Sequence, residues 1–140
     1  MLSAETVAGL RALPMAGAIA YWDELEAYGR EEGKLPAVVR ELCQSDLFYL
    51  LVRVCRRSDM LHPWLFARVR EVEAEPNGIL DLWAREHCKS STITFGLTIQ
   101  NILNDPETTI GIFSHTSPIA KAFLRQIMRE LENNPVLIGA

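Results

Sequence analysis

The stretch Leu80-Asp81-Leu82-Trp83-Ala84-Arg85-Glu86-His87-Cys88-Lys89-Ser90-Ser91-Thr92 decides how this chain is read. Its apolar opening predicts a buried strand over 79–84, then a tight loop closing on Lys-Ser, then a helix from Ser90. That order is the layout of a phosphate-cradling loop, in which backbone N–H groups and a helix N-terminus face the phosphates. Such a loop uses its lysine on the β- and γ-phosphates and its hydroxyl on Mg²⁺. Lys89 and Ser90 stand at those two places. The usual glycines, six residues and one residue before the lysine, are replaced by Trp83 and Cys88. A left-handed backbone at Cys88 costs roughly 1–2 kcal/mol without glycine. Taken alone, the Lys-Ser pair also fits a surface lysine at an ordinary helix start.

Working outward, Thr108-Thr109-Ile110-Gly111-Ile112-Phe113-Ser114 predicts a second strand. Ser117-Pro118 marks the start of a last helix, whose apolar face carries Ile119, Phe123, Ile127 and Leu131. Upstream, a helix from Pro36, a second one capped by Ser45 or Asp46, and a third opened by His62-Pro63 are expected. Within 1–35, Pro14 and Gly17 interrupt the apolar run Leu10 to Ala20, and a helix from Asp23 is expected to stop near Gly29. Helices followed by strand–helix–strand–helix predict an α/β fold with a parallel sheet. Two strands are too few for a sheet covered on both faces, so the fold is expected to be incomplete. The expected organisation is a poorly defined segment over 1–35 and a nucleotide-binding portion over 36–140.

Composition narrows the classes. The 140 residues are 49% hydrophobic and 23% charged, with a formal net charge of -4. That balance argues against a basic clamp over the whole surface and leaves room for a local basic face. Cys43, Cys55 and Cys88 are odd in number and lack zinc spacing, which suits reduced thiols. No apolar run approaches the roughly 18 residues of a membrane span. No basic patch precedes an apolar stretch at the N-terminus, so a secretory leader is not expected.

Residues 81–95 resemble the deviant Walker A region of large terminase subunits, the ATPases that package DNA in tailed phages and prophages. Gly111-Ile112-Phe113-Ser114-His115-Thr116 and the helix after it are similar to that family's next strand and helix. Asp59-Met60-Leu61-His62-Pro63-Trp64-Leu65 resembles its adenine-side segment. The resemblance runs from about residue 45 to 134 and is most specific over 79–131. It implies an incomplete, RecA-like P-loop NTPase preceded by an α-helical segment. It implies ATP and Mg²⁺, with Arg85 sensing the γ-phosphate, Glu86, His87, Cys88, Lys89, Ser90 and Ser91 around the phosphates, Ser90 toward the metal and Trp64 toward the adenine. The implied partners of the whole enzyme are the portal protein, the small terminase subunit, double-stranded DNA and further copies in a ring. The implied location is the bacterial host cytoplasm, with no membrane.

A working motor of this kind also needs a Walker B strand ending in acids, a carboxylate that orients water, and an acidic nuclease cluster. None is legible, so a truncated chain with negligible ATP turnover is expected. Two other readings remain open: another phosphate-loop enzyme such as a small nucleotide kinase, and a non-enzymatic α-helical interaction module. For His115, a hydrogen-bonded loop residue is the simpler reading. For Lys121, Arg125 and Arg129 it is a solvated helix face, against contact with DNA or a neighbouring subunit. For Trp64 it is a place in the core.

Overall fold

Pro14 divides the apolar N-terminal stretch into two helices, α1 (Ala4–Ala12) and α2 (Met15–Glu31). In the computed structural model of the chain, residues 2–75, 77, 83–84 and 87–139 are described. The Ser3 hydroxyl caps α1 by accepting from the Thr6 amide at 3.1 Å. Gly29 does not stop α2. It is buried there because a Cβ would lie 3.0 Å from the Leu35 Cα, so its bareness lets α3 (Leu35–Ser45) cross closely. The actual stop is Gly33, at φ +65.

Asp46 caps the three-residue α4 (Leu47–Tyr49), which continues as a π-helical turn over Leu50–Val54. That turn closes on Arg56 at φ 56, with the Arg57 amide donating to the Leu51 carbonyl at 3.0 Å. A left-handed residue at this point is ordinarily glycine. His62 opens α5 (Pro63–Ala74), its Nδ1 accepting from the Trp64 amide at 3.1 Å. A second π-helical stretch, Ser90–Leu97, runs into α6 (Thr98–Asn104). Then come α7 (Ser117–Asn133), whose N-cap position is Thr116 and carries no side-chain cap bond, and α8 (Pro135–Gly139).

The core gathers Trp22, Leu42, Phe48, Tyr49, Leu51, Val69 and Ile99. Trp22 meets Tyr49 edge-on at 5.3 Å, and Phe48 meets Phe66 edge-on at 5.0 Å. Such aromatic pairs add about 0.5–1.5 kcal/mol each beyond their burial. The two π-helical stretches touch at Gly96, where a Cβ would fall 2.6 Å from the Leu51 Cδ2. Asn134 ties the end of α7 to the first of them, donating to the Val54 carbonyl at 2.8 Å.

A carboxylate is sunk in this core. Asp46 is fully buried and accepts four hydrogen bonds. Two come from Arg70, at 2.9 and 3.1 Å, one from Trp22 Nε1 at 3.0 Å and one from the Tyr49 amide at 3.0 Å. Glu73 joins the cluster, accepting from Arg70 at 2.8 Å and from the Leu47 amide at 2.6 Å.

The α/β fold expected from the sequence is not formed. The described residues are helical or irregular, with no strand among them. Residues 108–114 carry β-prone side chains and have no regular structure. Propensity alone does not make a strand, because its amides need a neighbouring ladder, and here none receives them. Of the other expected strand, residues 79–82 lie outside the described residues, and Trp83 and Ala84 have no regular structure. No helix among the described residues is long and apolar enough to cross a membrane.

Candidate functional site

Cys88 stands at φ 58, the left-handed turn that the missing glycine would have taken. Directly after it, Lys89 has helical dihedrals, and the Thr92 amide donates to the Cys88 carbonyl at 2.9 Å. The Thr92 hydroxyl also donates to the Cys88 carbonyl, at 3.0 Å, and Thr92 is fully buried. A buried threonine thus anchors the turn while Lys89, Ser90 and Ser91 face a cavity of about 490 Å³. Trp83, Ala84, His87 and Cys88 complete its lining.

A second cavity, of about 540 Å³, adjoins the first through His87 and Cys88, which line both. Its other walls are Asp59, His62, Trp64 and Leu65. Trp64 is 38% exposed and so is not a core residue. Its ring meets those of His87 at 5.3 Å and Trp83 at 5.6 Å, both edge-on, and Arg68 lies over it at 5.6 Å. Aromatic faces of this kind take planar groups by stacking.

Among the described residues an ion pair, Arg57–Asp59, stands beside the turn. Arg57 donates to both Asp59 oxygens, at 2.9 and 2.7 Å. That hydrogen bonding holds the Asp59 carboxyl below its usual range. The Cys88 thiol lies 3.7 Å from Asp59, and its pKa is raised, first by burial and then by that carboxylate. Cys88 is therefore a neutral thiol near pH 7 and a poor nucleophile. Burial likewise pushes Cys43 and Cys55 up to about 12.

Of the residues singled out in the sequence, His87, Cys88, Lys89, Ser90 and Ser91 share one cavity, and Trp64 lies beside it. Arg85 and Glu86 lie outside the described residues. His115 is exposed in the segment before α7, and Lys121, Arg125 and Arg129 are exposed on α7. Among the described residues no group of three or more His, Cys, Asp or Glu is placed to hold a metal ion. Asp59 and His62 lie in the stretch 59–65 that resembles an adenine-side segment, where the sequence reading gives a role to Trp64 alone. The signal was the charge pair Arg57–Asp59 just ahead of the helix start His62-Pro63. Comparison of the chain with protein-family profiles, characterised proteins and solved structures finds no match.

Proposed function

We propose that this chain is the nucleotide-binding portion of a viral DNA-packaging terminase large subunit. The observation that supports it best is the left-handed Cys88 leading straight into a helix whose first residues, Lys89, Ser90 and Ser91, share one cavity beside an aromatic wall. The donor set suits a triphosphate: a lysine, two hydroxyls and a helix start. In this reading Lys89 and the turn amides hold phosphate oxygens, and Ser90 supplies a hydroxyl toward Mg²⁺. Trp64 flanks the adenine, and Arg85 senses the γ-phosphate. The bound metal would offset phosphate charge. The reading rests on the turn and the helix start and draws on no sheet.

In the whole enzyme the proposed partners are the portal protein, the small terminase subunit, double-stranded DNA and further copies of the subunit. This chain alone is expected to bind ATP with negligible turnover, because the described lining of the phosphate-side cavity holds no carboxylate to orient water. The test is titration of the full chain with Mg·ATP, followed by calorimetry and by tryptophan fluorescence from Trp64 and Trp83. Saturable binding weakened at least tenfold by Lys89→Ala is expected, with phosphate release equal in the two proteins. Absence of binding to the unaltered chain overturns the reading.

A second reading, a non-enzymatic helical interaction module, is favoured by one observation. On α7, Leu124 and Met128 are 49% and 47% exposed among the exposed cations Lys121, Arg125 and Arg129. It predicts no nucleotide-linked rise in melting temperature.

A further inference from the structure

The surface charges of this chain are sorted by helix. Along α2, Asp23 pairs with Arg53 at 2.6 Å and Glu26 with Arg30 at 2.9 Å, while Glu32 just beyond it pairs with Lys34 at 3.6 Å. Glu24 and Glu31 are exposed and meet no cation among the described residues. They stand two helical turns apart and so share one outer stripe. Exposed Ala20 and Ala27 lie along that stripe, with Tyr28, 52% exposed, at its side. On α7 the pattern has the opposite sign. Lys121, Arg125 and Arg129 are exposed at successive turns and meet no acid among the described residues. Like charges at this spacing repel, so the row is unfavourable until an acid comes to it. Leu124 and Met128 run beside the row, half in water. Glu130 does not neutralise it, because its carboxylate accepts from Asn134 at 2.6 Å.

Within one molecule the two faces do not meet. α2 packs on α3, α3 on α6 and α6 on α7, so two helices stand between them. A second copy brings an α2 to an α7, and the sequences fit. Laid antiparallel, Glu31 comes opposite Lys121, Tyr28 opposite Leu124, and Glu24 opposite Met128 between Arg125 and Arg129. Glu132, the exposed acid near the end of α7, falls opposite Ala20. Acids thus face cations and no like charges are opposed. The bulky Leu124 and Met128 find room over the small side chains of Ala20 and Ala27, as ridges enter grooves between packed helices. Laid parallel, Glu31 and Glu132 would come within a turn of each other. Opposed helix dipoles also favour the antiparallel arrangement.

We propose that the outer face of α7 docks on the outer face of α2 of a second copy of this chain, with Lys121, Arg125 and Arg129 set against Glu24 and Glu31. The contact leaves the nucleotide cavity out and stands or falls without it. Each joined pair keeps one face of either kind unfilled, so association runs past the dimer unless a ring closes. Two helix faces bury little area, so the association is weak and reversible. The test is sedimentation of the full chain across a hundredfold concentration range at low and at high salt. The mean mass should rise with concentration at low salt, and the association constant should fall at least tenfold at high salt. Glu24→Lys with Glu31→Lys, and separately Lys121→Glu with Arg125→Glu, should each give a monomer with unchanged helical circular dichroism, because all four side chains are exposed. Mixed in equal amounts the two variants should associate again, since each acidic face then has a basic face to meet. Glu5→Lys with Glu75→Lys changes the net charge as much as the α2 variant does, away from both faces, and should associate at least as well as the unaltered chain. Should a reversed variant lose its helical signal, Glu24→Gln with Glu31→Gln removes the charge alone and should still weaken association at least threefold. An unaltered chain that stays monomeric throughout overturns the proposal. So does association indifferent to salt, a mixture of the two folded variants that stays monomeric, or loss of association with Glu5→Lys and Glu75→Lys.

Discussion

Two polar clusters in this molecule are built in opposite ways. Around Asp46 every carboxylate lone-pair direction is met inside the protein, by Arg70, Trp22 and the Tyr49 amide, and water is excluded. Around Cys88 the polar groups line two open cavities, and the backbone takes a conformation that glycine would adopt at lower cost. The first arrangement joins α2, α4 and α5 and closes around the carboxylate, with Arg70 Nε the buried donor that it leaves without a bond among the described residues. The second joins little and is organised around space. Polar residues that complete one another hold a fold together, whereas polar residues aimed at a common cavity leave it able to bind.

The largest effect should come from opening the closed cluster. Arg70→Leu removes the cation that hydrogen-bonds two buried carboxylates, leaving Glu73 with only the more distant Arg11 at 3.9 Å, and loss of about 3–5 kcal/mol is expected from urea unfolding. If the loss stays under about 1 kcal/mol, the Asp46 cluster is not the structural centre claimed here. Next is the contact that links the two regions. Gly96→Ala drives a methyl into buried Leu51 and should cost about 1–3 kcal/mol, because that core has no slack. It should also weaken Mg·ATP binding if the helix start is held in place through that contact. Smaller, and opposite in sign, is Cys88→Gly. It relieves the left-handed strain, and the melting temperature should rise by an amount corresponding to about 1 kcal/mol. A fall would mean that the Cys88 side chain supports the turn by more than its backbone costs.

The smallest expected effect is a pH dependence. Burial holds the Glu73 carboxyl above its usual 4.5, ahead of the opposing pull of Arg70. A folded value above the unfolded one favours folding fully below pH 4.5, and that contribution is lost as pH rises through the folded value. The unaltered chain should therefore lose stability relative to Glu73→Gln as pH rises from about 4 through that window. A difference that is flat, or that grows with pH, would show Glu73 to be held ionised by Arg70 instead.

Much of the closed region was legible residue by residue, and almost none of its connections were. The helix starts near Asp46 and His62 follow from a capping side chain and from Pro63 in the first turn, although sequence left the cap open between Ser45 and Asp46. That Asp46 also binds Trp22 and Arg70, each 24 residues away, depends on how the helices cross, and local sequence does not carry that. Gly29 shows the same limit. It reads as a helix stop and is instead the place where α2 and α3 come closest. In the open region a turn needing a left-handed residue at Cys88 and a helix from Ser90 were legible from the missing-glycine position, although the Lys-Ser pair alone fits an ordinary helix start as well. The strand expected over 108–114 was misread because β-propensity describes a surface that suits pairing and not the partner that pairing requires.

The two π-helical stretches have a consequence for how this protein tolerates changes in length. A stretch such as Ser90–Leu97 accommodates more residues per turn than an α-helix, with bonds reaching one residue further along. Loss of a single residue there can be absorbed by rewinding to ordinary α-helical bonding, while the faces presented by α6 beyond it stay in phase. Elsewhere in a helix the same deletion rotates everything downstream away from the core. A one-residue deletion within 90–97 or 50–54 is thus expected to lower the melting temperature less than one inside α2, as thermal unfolding of the two kinds of variant would check.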